Sequence, residues 1–348
     1  MTPIGRRTAA LLAAVLTAGA LATASGVAGA AALPALVGDP TALVNPFLGT
    51  GSGNAVVGPV NLFPGASAPF GMVAWSPDTT SRPAAGGYSY TDSSTIGLSV
   101  THVAGAGCDI AGDLPILPTV GAIGGNPTAT TQPFSHASES ASPGSYSTVL
   151  GTGASAIGVD VAATTRTGVG SFAYPATTSA DVLFKVGDAQ GSVTGANVSV
   201  VGDDEVTGSI TEGRFCDMPN MSTVYFAAKF DRPFTAHGTW NGSTVAAGSS
   251  TASGQNSGAY VSFDTTSAAD VGMQVSISYV SVANAEGNLG AELHGSYDVA
   301  AVAAQTRAQW RKLLSEIRDA LVTGRASQAA VGDVMMRDQQ QQSPPQHQ

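Results

Sequence analysis

The 348-residue chain carries 24 acidic and 14 basic side chains, a formal net charge of −10, and only 11% of its residues are charged. An acidic chain of this kind excludes a basic surface able to neutralise nucleic-acid phosphates. Its length allows one large domain or two ordinary ones, and 43 glycines with few charges favour short strands and turns over charged surface helices.

Residues 1–31 read as a secretory signal peptide. The basic start MTPIGRR precedes the apolar run TAALLAAVLTAGALATA, and VAGAAA offers small residues for cleavage near Ala30 to Ala32. The run is rich in Ala and Gly and short for a spanning helix, so the chain is expected to be exported, with no membrane span. The adjacent Arg6 and Arg7 are compatible with twin-arginine export.

Residues 40–282 are expected to form a large antiparallel β-sandwich. From 40 to 125 the chain is loop-rich, with Gly and Pro every few residues between short apolar runs such as FGMVAW and IGLSV. From 145 to 282 the pattern is more regular. In DVLFKV, Val182, Phe184 and Val186 alternate with Leu183 and Lys185. In VGMQVSISYV, Val271, Met273, Val275, Ile277 and Tyr279 share one face, with Gly272, Gln274, Ser276 and Ser278 on the other. A period of two predicts half-buried strands. TVYFAAKF and AYVSFD are further strand candidates, separated by the turn-forming VGDDEV, DRPF and WNGS.

The period then changes. From Asp298, apolar residues at Val299, Val302, Trp310, Leu313, Leu314, Ile317 and Leu321 fall on one helical face, and NAEGNLGAEL predicts a weaker helix before it. Residues 283–322 thus read as a helical linker, and the Gln-rich 323–348 as a disordered tail.

Chemistry is sparse at this level. GTGSGNAVVG at 49–58 lacks the Lys-Ser/Thr of a phosphate loop and reads as a surface turn. His102 is the one histidine in a strongly patterned segment; His136, His237, His294 and His347 lack metal-ligand spacing, and no metal site is assigned. Asp109 and Asp113 are weak calcium candidates. Asp78, Asp92, Asp109 and Asp113 are candidates for a glycosidase carboxylate pair, yet no spacing marks two of them as partners. No serine sits in a G-x-S-x-G elbow. Cys108 and Cys216 are either a disulfide or two buried thiols. Asn197, Asn220 and Asn241 each open an Asn-x-Ser triplet.

The motifs in order are more informative. Asn45–Thr50 (NPFLGT), Phe63–Met72 (FPGASAPFGM), Ser76–Thr79 (SPDT), Gly87–Tyr90 (GYSY) and Thr101–Cys108 (THVAGAGC) follow one another at characteristic distances. Later come GRFC at 213–216, TVYFAAKFDRPF at 223–234, ISYVSVANAEGNL at 277–289 and WRKLL at 310–314. Across residues 42–318 this closely resembles the start of glycoside hydrolase family 92, exported and calcium-dependent α-mannosidases.

The resemblance implies a β-sandwich N-terminal domain, then a helical linker, then an (α/α)-barrel that supplies both carboxylates for hydrolysis of α-mannosides with inversion. It implies α-mannoside glycans or mannose-containing oligosaccharides as partners, and calcium in the intact enzyme, with no calcium ligand assignable here. It also implies that the sandwich lends loops to the sugar pocket. Trp75, Asp78, Tyr88 and His102 are then the candidates for substrate binding, Trp75 by stacking on a sugar face and Asp78 by accepting from hydroxyls. After Ile317 the chain departs from the family pattern, and the barrel, with its acid and base, is missing from this sequence. The expectation is therefore a truncated, carbohydrate-interacting domain, by itself inactive. The alternatives are a stand-alone carbohydrate-binding or surface module, and a hydrolase using acids of the sandwich itself.

Overall fold

A computed structural model describes residues 38–53 and 58–322, the side chains of 320–322 excepted. The expected signal peptide (1–31) and Gln-rich tail (323–348) lie outside the described residues. The strands, in chain order, are β1 (Ala66–Ser67), β2 (Ala74–Thr79), β3 (Ser94–Ser99), β4 (Ile116–Val120), β5 (Gln132–Pro133), β6 (Ser140–Ser142), β7 (Ser145–Leu150), β8 (Ile157–Ala163) and β9 (Thr167–Ala173). They continue with β10 (Ala180–Phe184), β11 (Gly195–Val201), β12 (Glu205–Gly213), β13 (Met221–Phe230), β14 (Ala236–Asn241), β15 (Thr244–Ala247), β16 (Thr251–Ser253), β17 (Ser257–Phe263) and β18 (Asp270–Ser278). Two helices follow, α1 (Val282–Leu293) and α2 (Val299–Val322).

The strands pair antiparallel into two nine-stranded sheets. One runs β1-β2-β3-β4-β10-β17-β14-β15, with β5 on β3; the other runs β16-β11-β12-β13-β18-β9-β8-β7-β6. Their inner faces share one apolar core, in which Phe184 of the first sheet stacks on Phe226 of the second at 6.4 Å between centroids. Trp75 fixes the approach of the sheets. Its ring lies against β9, where a Cβ at Gly168 or Gly170 would come within 2.7 and 2.8 Å of the indole. The fold is thus mainly β, a sandwich with helices at its C-terminal end, and no barrel is present among the described residues.

The alternation in β18 holds, but its polar face is not solvated. Gln274 donates to the Ser296 carbonyl (2.9 Å), Ser276 to the Ala285 carbonyl (2.6 Å) and Ser278 to Asn284 Oδ1 (3.0 Å). The small polar row is where α1 docks, by these hydrogen bonds together with an apolar patch of Ala285, Leu289 and Leu293 against Ala162, Val169 and Ala227. The period of two in DVLFKV likewise predicts a half-buried strand, and the structure corrects it. All of Ala180–Phe184 is buried, and Lys185 is fully buried with its Nζ donating to the Ile96 and Thr130 carbonyls (2.6 and 2.5 Å). A segment of loop covers the face that periodicity alone leaves to water.

The helices are capped as their sequences allow. Ser281 accepts from Asn284 N at the start of α1, and Asp298 Oδ1 accepts from Ala301 N (2.9 Å) at the start of α2. Thr306 then donates to the Ala163 carbonyl and Trp310 Nε1 to the Ser67 carbonyl (both 2.7 Å), which seats α2 on the sandwich. Among the described residues no helix is long and apolar enough to cross a membrane.

Candidate functional site

The motifs of the N-terminal half converge on one buried carboxylate. Asp78, in the fully buried β2, sits where a bulge shifts the β2–β3 register. Its Oδ1 lies 2.9 Å from His102 Nε2, and its Oδ2 accepts from Ser99 Oγ (2.6 Å) and from Arg82 Nε and Nη2 (3.0 and 2.8 Å). Burial alone would raise the Asp78 carboxyl, but the Arg82 and His102 charges more than reverse this and hold it below the usual carboxylate range. His102 Nδ1 is 2.8 Å from the Ala74 carbonyl, so both ring nitrogens face oxygen atoms.

Arg82 carries this network outward. Its Nη1 meets Asp188 Oδ1 at 2.6 Å and its Nη2 donates to the Gly112 carbonyl at 2.8 Å. Gln190 Nε2 returns to the Arg82 and Pro83 carbonyls (3.0 and 2.9 Å). One guanidinium thus clamps the loop after β2, the loop before β4 and the loop after β10.

The four expected substrate-binding side chains are placed differently from a pocket lining. Trp75 is core, its Nε1 donating to the Leu98 carbonyl at 3.1 Å. Asp78 and His102 lie under Gly87, which has φ +69°, and where a Cβ would overlap Asp78 Oδ1. Tyr88 is fully buried, and its hydroxyl donates to Glu139 (2.9 Å), as does that of Tyr146 (2.6 Å). All four side chains are buried among the described residues. Asp78 and His102 are brought together, and Trp75 and Tyr88 pack nearby without joining their network. The physical reason is that β2 and the Gly87 turn are covered on both sides, which the motif spacing does not reveal.

Two loops beside this network are tied to each other. Cys108 and Cys216 are disulfide-bonded, with Cα atoms 5.3 Å apart. The bonded segments hold left-handed backbone at non-glycine residues: Ala111 (φ 59°), Leu114 (58°), Arg214 (67°), Cys216 (50°) and Asp217 (62°). Such conformations cost about 1–2 kcal/mol each and persist only where surroundings enforce them. The segments carry two buried acids, Asp113 and Glu212. Asp113 Oδ2 accepts from Thr101 Oγ1 (2.6 Å), while its Oδ1 and Glu212 Oε2 have no hydrogen-bond partner among the described residues. Burial raises both carboxyls, and the Asp113 charge raises Glu212 further. When protonated, either acid is a hydrogen-bond donor as well as an acceptor.

Asp92 accepts from Ser81 N (2.7 Å) and ties a turn, while Asp109 is exposed. Among the described residues no group of three or more His, Cys, Asp or Glu side chains is arranged to hold a metal ion. Asp78 has both carboxylate oxygens engaged, while Asp113 keeps one oxygen without a partner. Sequence reasoning missed Arg82, Glu139, Lys185, Asp188 and Glu212. Their partners lie as far as 106 residues away, as in Arg82–Asp188, beyond any local spacing signal.

Comparison with known proteins bears on what this cluster belongs to. The model of the glycosyl hydrolase family 92 N-terminal domain matches residues 43–278. The family GH92 alpha-mannosidase BT3965 from Bacteroides thetaiotaomicron is similar in structure, with a TM-score of 0.70 and 28% identity over 81% of this chain and 38% of that one. The gh92 family glycosyl hydrolase ccman5 gives a TM-score of 0.71 and 32% identity over 79% of this chain and 37% of that one. The family GH92 inverting mannosidase BT2199 from Bacteroides thetaiotaomicron gives 0.70 and 25% identity over 81% and 37%. The chain thus spans less than two fifths of the length of these relatives. No curated protein matches.

Proposed function

We propose, for a chain that belongs to glycoside hydrolase family 92 through its N-terminal domain, that it serves the hydrolysis of α-mannosides as the loop-bearing, carbohydrate-interacting half of a two-part site. The observation that carries this reading is the coincidence of the family match with the clamp at Asp78. In this reading the work of the motifs SPDT, GYSY and THVAGAGC is to hold loops rather than to present reactive groups.

In this reading the acid and base of an inverting reaction come from a second, barrel domain, along with any calcium ligands. An inverting pair needs its two carboxyl groups on opposite sides of the scissile bond with room for water. Asp78, held by Arg82, Ser99 and His102 and covered by Gly87, has no such room. Asp113 and Glu212 are buried, and the Asp113 charge acts on Glu212, an arrangement that leaves no exposed pair for a sugar. We further propose that the chain is exported. A disulfide is at home in an oxidising compartment, and the sequence begins with a signal-peptide pattern.

The test is hydrolysis of an aryl α-mannoside by this chain in the presence of calcium. The expected result is no turnover above the uncatalysed rate. Turnover that disappears in Asp113→Asn or Glu212→Gln would place the chemistry in the sandwich and overturn the proposal.

A further inference from the structure

A cleft of about 440 Å³ opens between the outer face of the second sheet and the start of α2. It shares no residue with the Asp78–Glu212 cluster. Its floor is a row of side chains set by strand register: Ser140 faces Ser147, Ser147 faces Asp160, and Asp160 faces Ser171 across β6, β7, β8 and β9. At ordinary strand spacing that row is roughly 14 Å long, enough for a disaccharide. Its neighbours along β8, Val159 and Val161, point into the core, so Asp160 points out into the cleft.

The next position across the sheet is Gly272, paired with Ser171. Here a Cβ would come within 2.9 Å of the Asp231 carboxylate and 3.2 Å of the Tyr297 ring, so the bare backbone lets both side chains approach the end of the row. Tyr297 is pinned by its hydroxyl, which donates to the Phe230 carbonyl at 2.8 Å. Asp298, on the far wall, uses its carboxylate to cap α2. The Ser147, Asp160 and Ser171 side chains, in contrast, have no hydrogen-bond partner among the described residues. Burial, and then the Asp270 charge, raises the Asp160 carboxyl above its ordinary range, while the residue remains exposed to an incoming ligand.

The lining contains no Lys, Arg or His, which disfavours an anionic ligand. Serine hydroxyls both donate and accept, a carboxylate can take two adjacent hydroxyls, and a fixed aromatic packs against C–H faces. A cleft with few convergent polar groups and an aromatic wall is the usual form of a small-molecule site. We infer that this cleft binds a neutral mono- or disaccharide, with Asp160 as its anchor, Ser147 and Ser171 as flanking partners and Tyr297 as the end wall. The inference goes beyond the proposed role in mannoside hydrolysis and does not depend on it.

The test is isothermal titration of the full chain with mannobiose and with maltose, and with spermidine as a cationic control. Saturable binding of at least one disaccharide is expected, weakened about tenfold or more in Asp160→Ala, as for loss of hydrogen bonds to a charged group. Ser171→Val, a change on the solvent-facing side of β9, is expected to weaken it as well. Three results would overturn the inference: no saturable binding of either sugar, binding unchanged in both variants, or binding of spermidine alone. The two variants leave Asp78 and its partners untouched, so failure here is distinguishable from failure of the hydrolytic reading.

Discussion

Asp78 Oδ1 stands 2.9 Å from His102 Nε2, while the other nitrogen of the same ring stands 2.8 Å from the Ala74 carbonyl. The imidazole therefore joins both ends of β2 to the residue that begins the loop toward Cys108. With Arg82 on the opposite carboxylate oxygen, Asp78 is a buried carboxylate held between a guanidinium and an imidazole.

Breaking this arrangement is predicted to be costly. Asp78→Asn removes the carboxylate shared by Arg82, Ser99 and His102, leaving Arg82 with the Asp188 carboxylate, and should lower the unfolding free energy by about 3 kcal/mol, the low end of the cost of breaking a buried pair. A lower urea midpoint at unchanged slope is the expected reading. The sign with pH is defined too. The folded Asp78 carboxyl is depressed, so its stabilisation is present above the unfolded carboxylate value and lost as pH falls through the folded one. The variant should lack that part of the acid limb.

The Cys108–Cys216 bond closes a span of 108 residues between loops rich in left-handed backbone. Cys216→Ser is predicted to cost about 2–5 kcal/mol. Thermal melts with and without reductant check it: the native chain should drop toward the variant when reduced, and the variant should not respond.

Glu212 gives the opposite pH sign to Asp78. Burial and the Asp113 charge raise its carboxyl, so the folded chain keeps a proton that the unfolded chain releases. Its stabilisation is present below the unfolded value of about 4.3 and is lost as pH rises through the folded one. Glu212→Gln should flatten the decline in stability above that point, measured as urea midpoints across a pH series.

Lys185 tests the alkaline side. Burial pushes its ammonium down to about 8 from an ordinary 10.5, so the folded chain loses this proton first. Stability should rise with pH between those two values, and the rise should be missing from Lys185→Met. Subtracting the two pH profiles isolates this group from the buried tyrosines.

The strands and α2 were legible because burial on a sheet or helix face repeats at a fixed period. Val271 to Ile277 and Val299 to Leu321 carry that period openly. Lys185 shows where the method stops. It sits in phase with Leu183 on what reads as the wet face of a strand, and only the loop at Thr130 makes that face dry. The motifs located the region of the candidate site, since Asp78 and His102 do meet. Their role was not legible, because it depends on Gly87 covering the pair and on Arg82 reaching Asp188 and Gly112 from other loops. A cysteine pair left open by the sequence is closed by the same loop geometry.

The most direct measurement is α-mannosidase activity of a chimera. Residues 40–318 of this chain would replace the matching part of the family GH92 alpha-mannosidase BT3965, keeping the remainder of that chain. The account predicts aryl α-mannoside hydrolysis by the chimera, a fall in kcat on introducing Asp78→Asn, and no hydrolysis by this chain alone. A folded chimera without activity, or activity indifferent to Asp78, would contradict it.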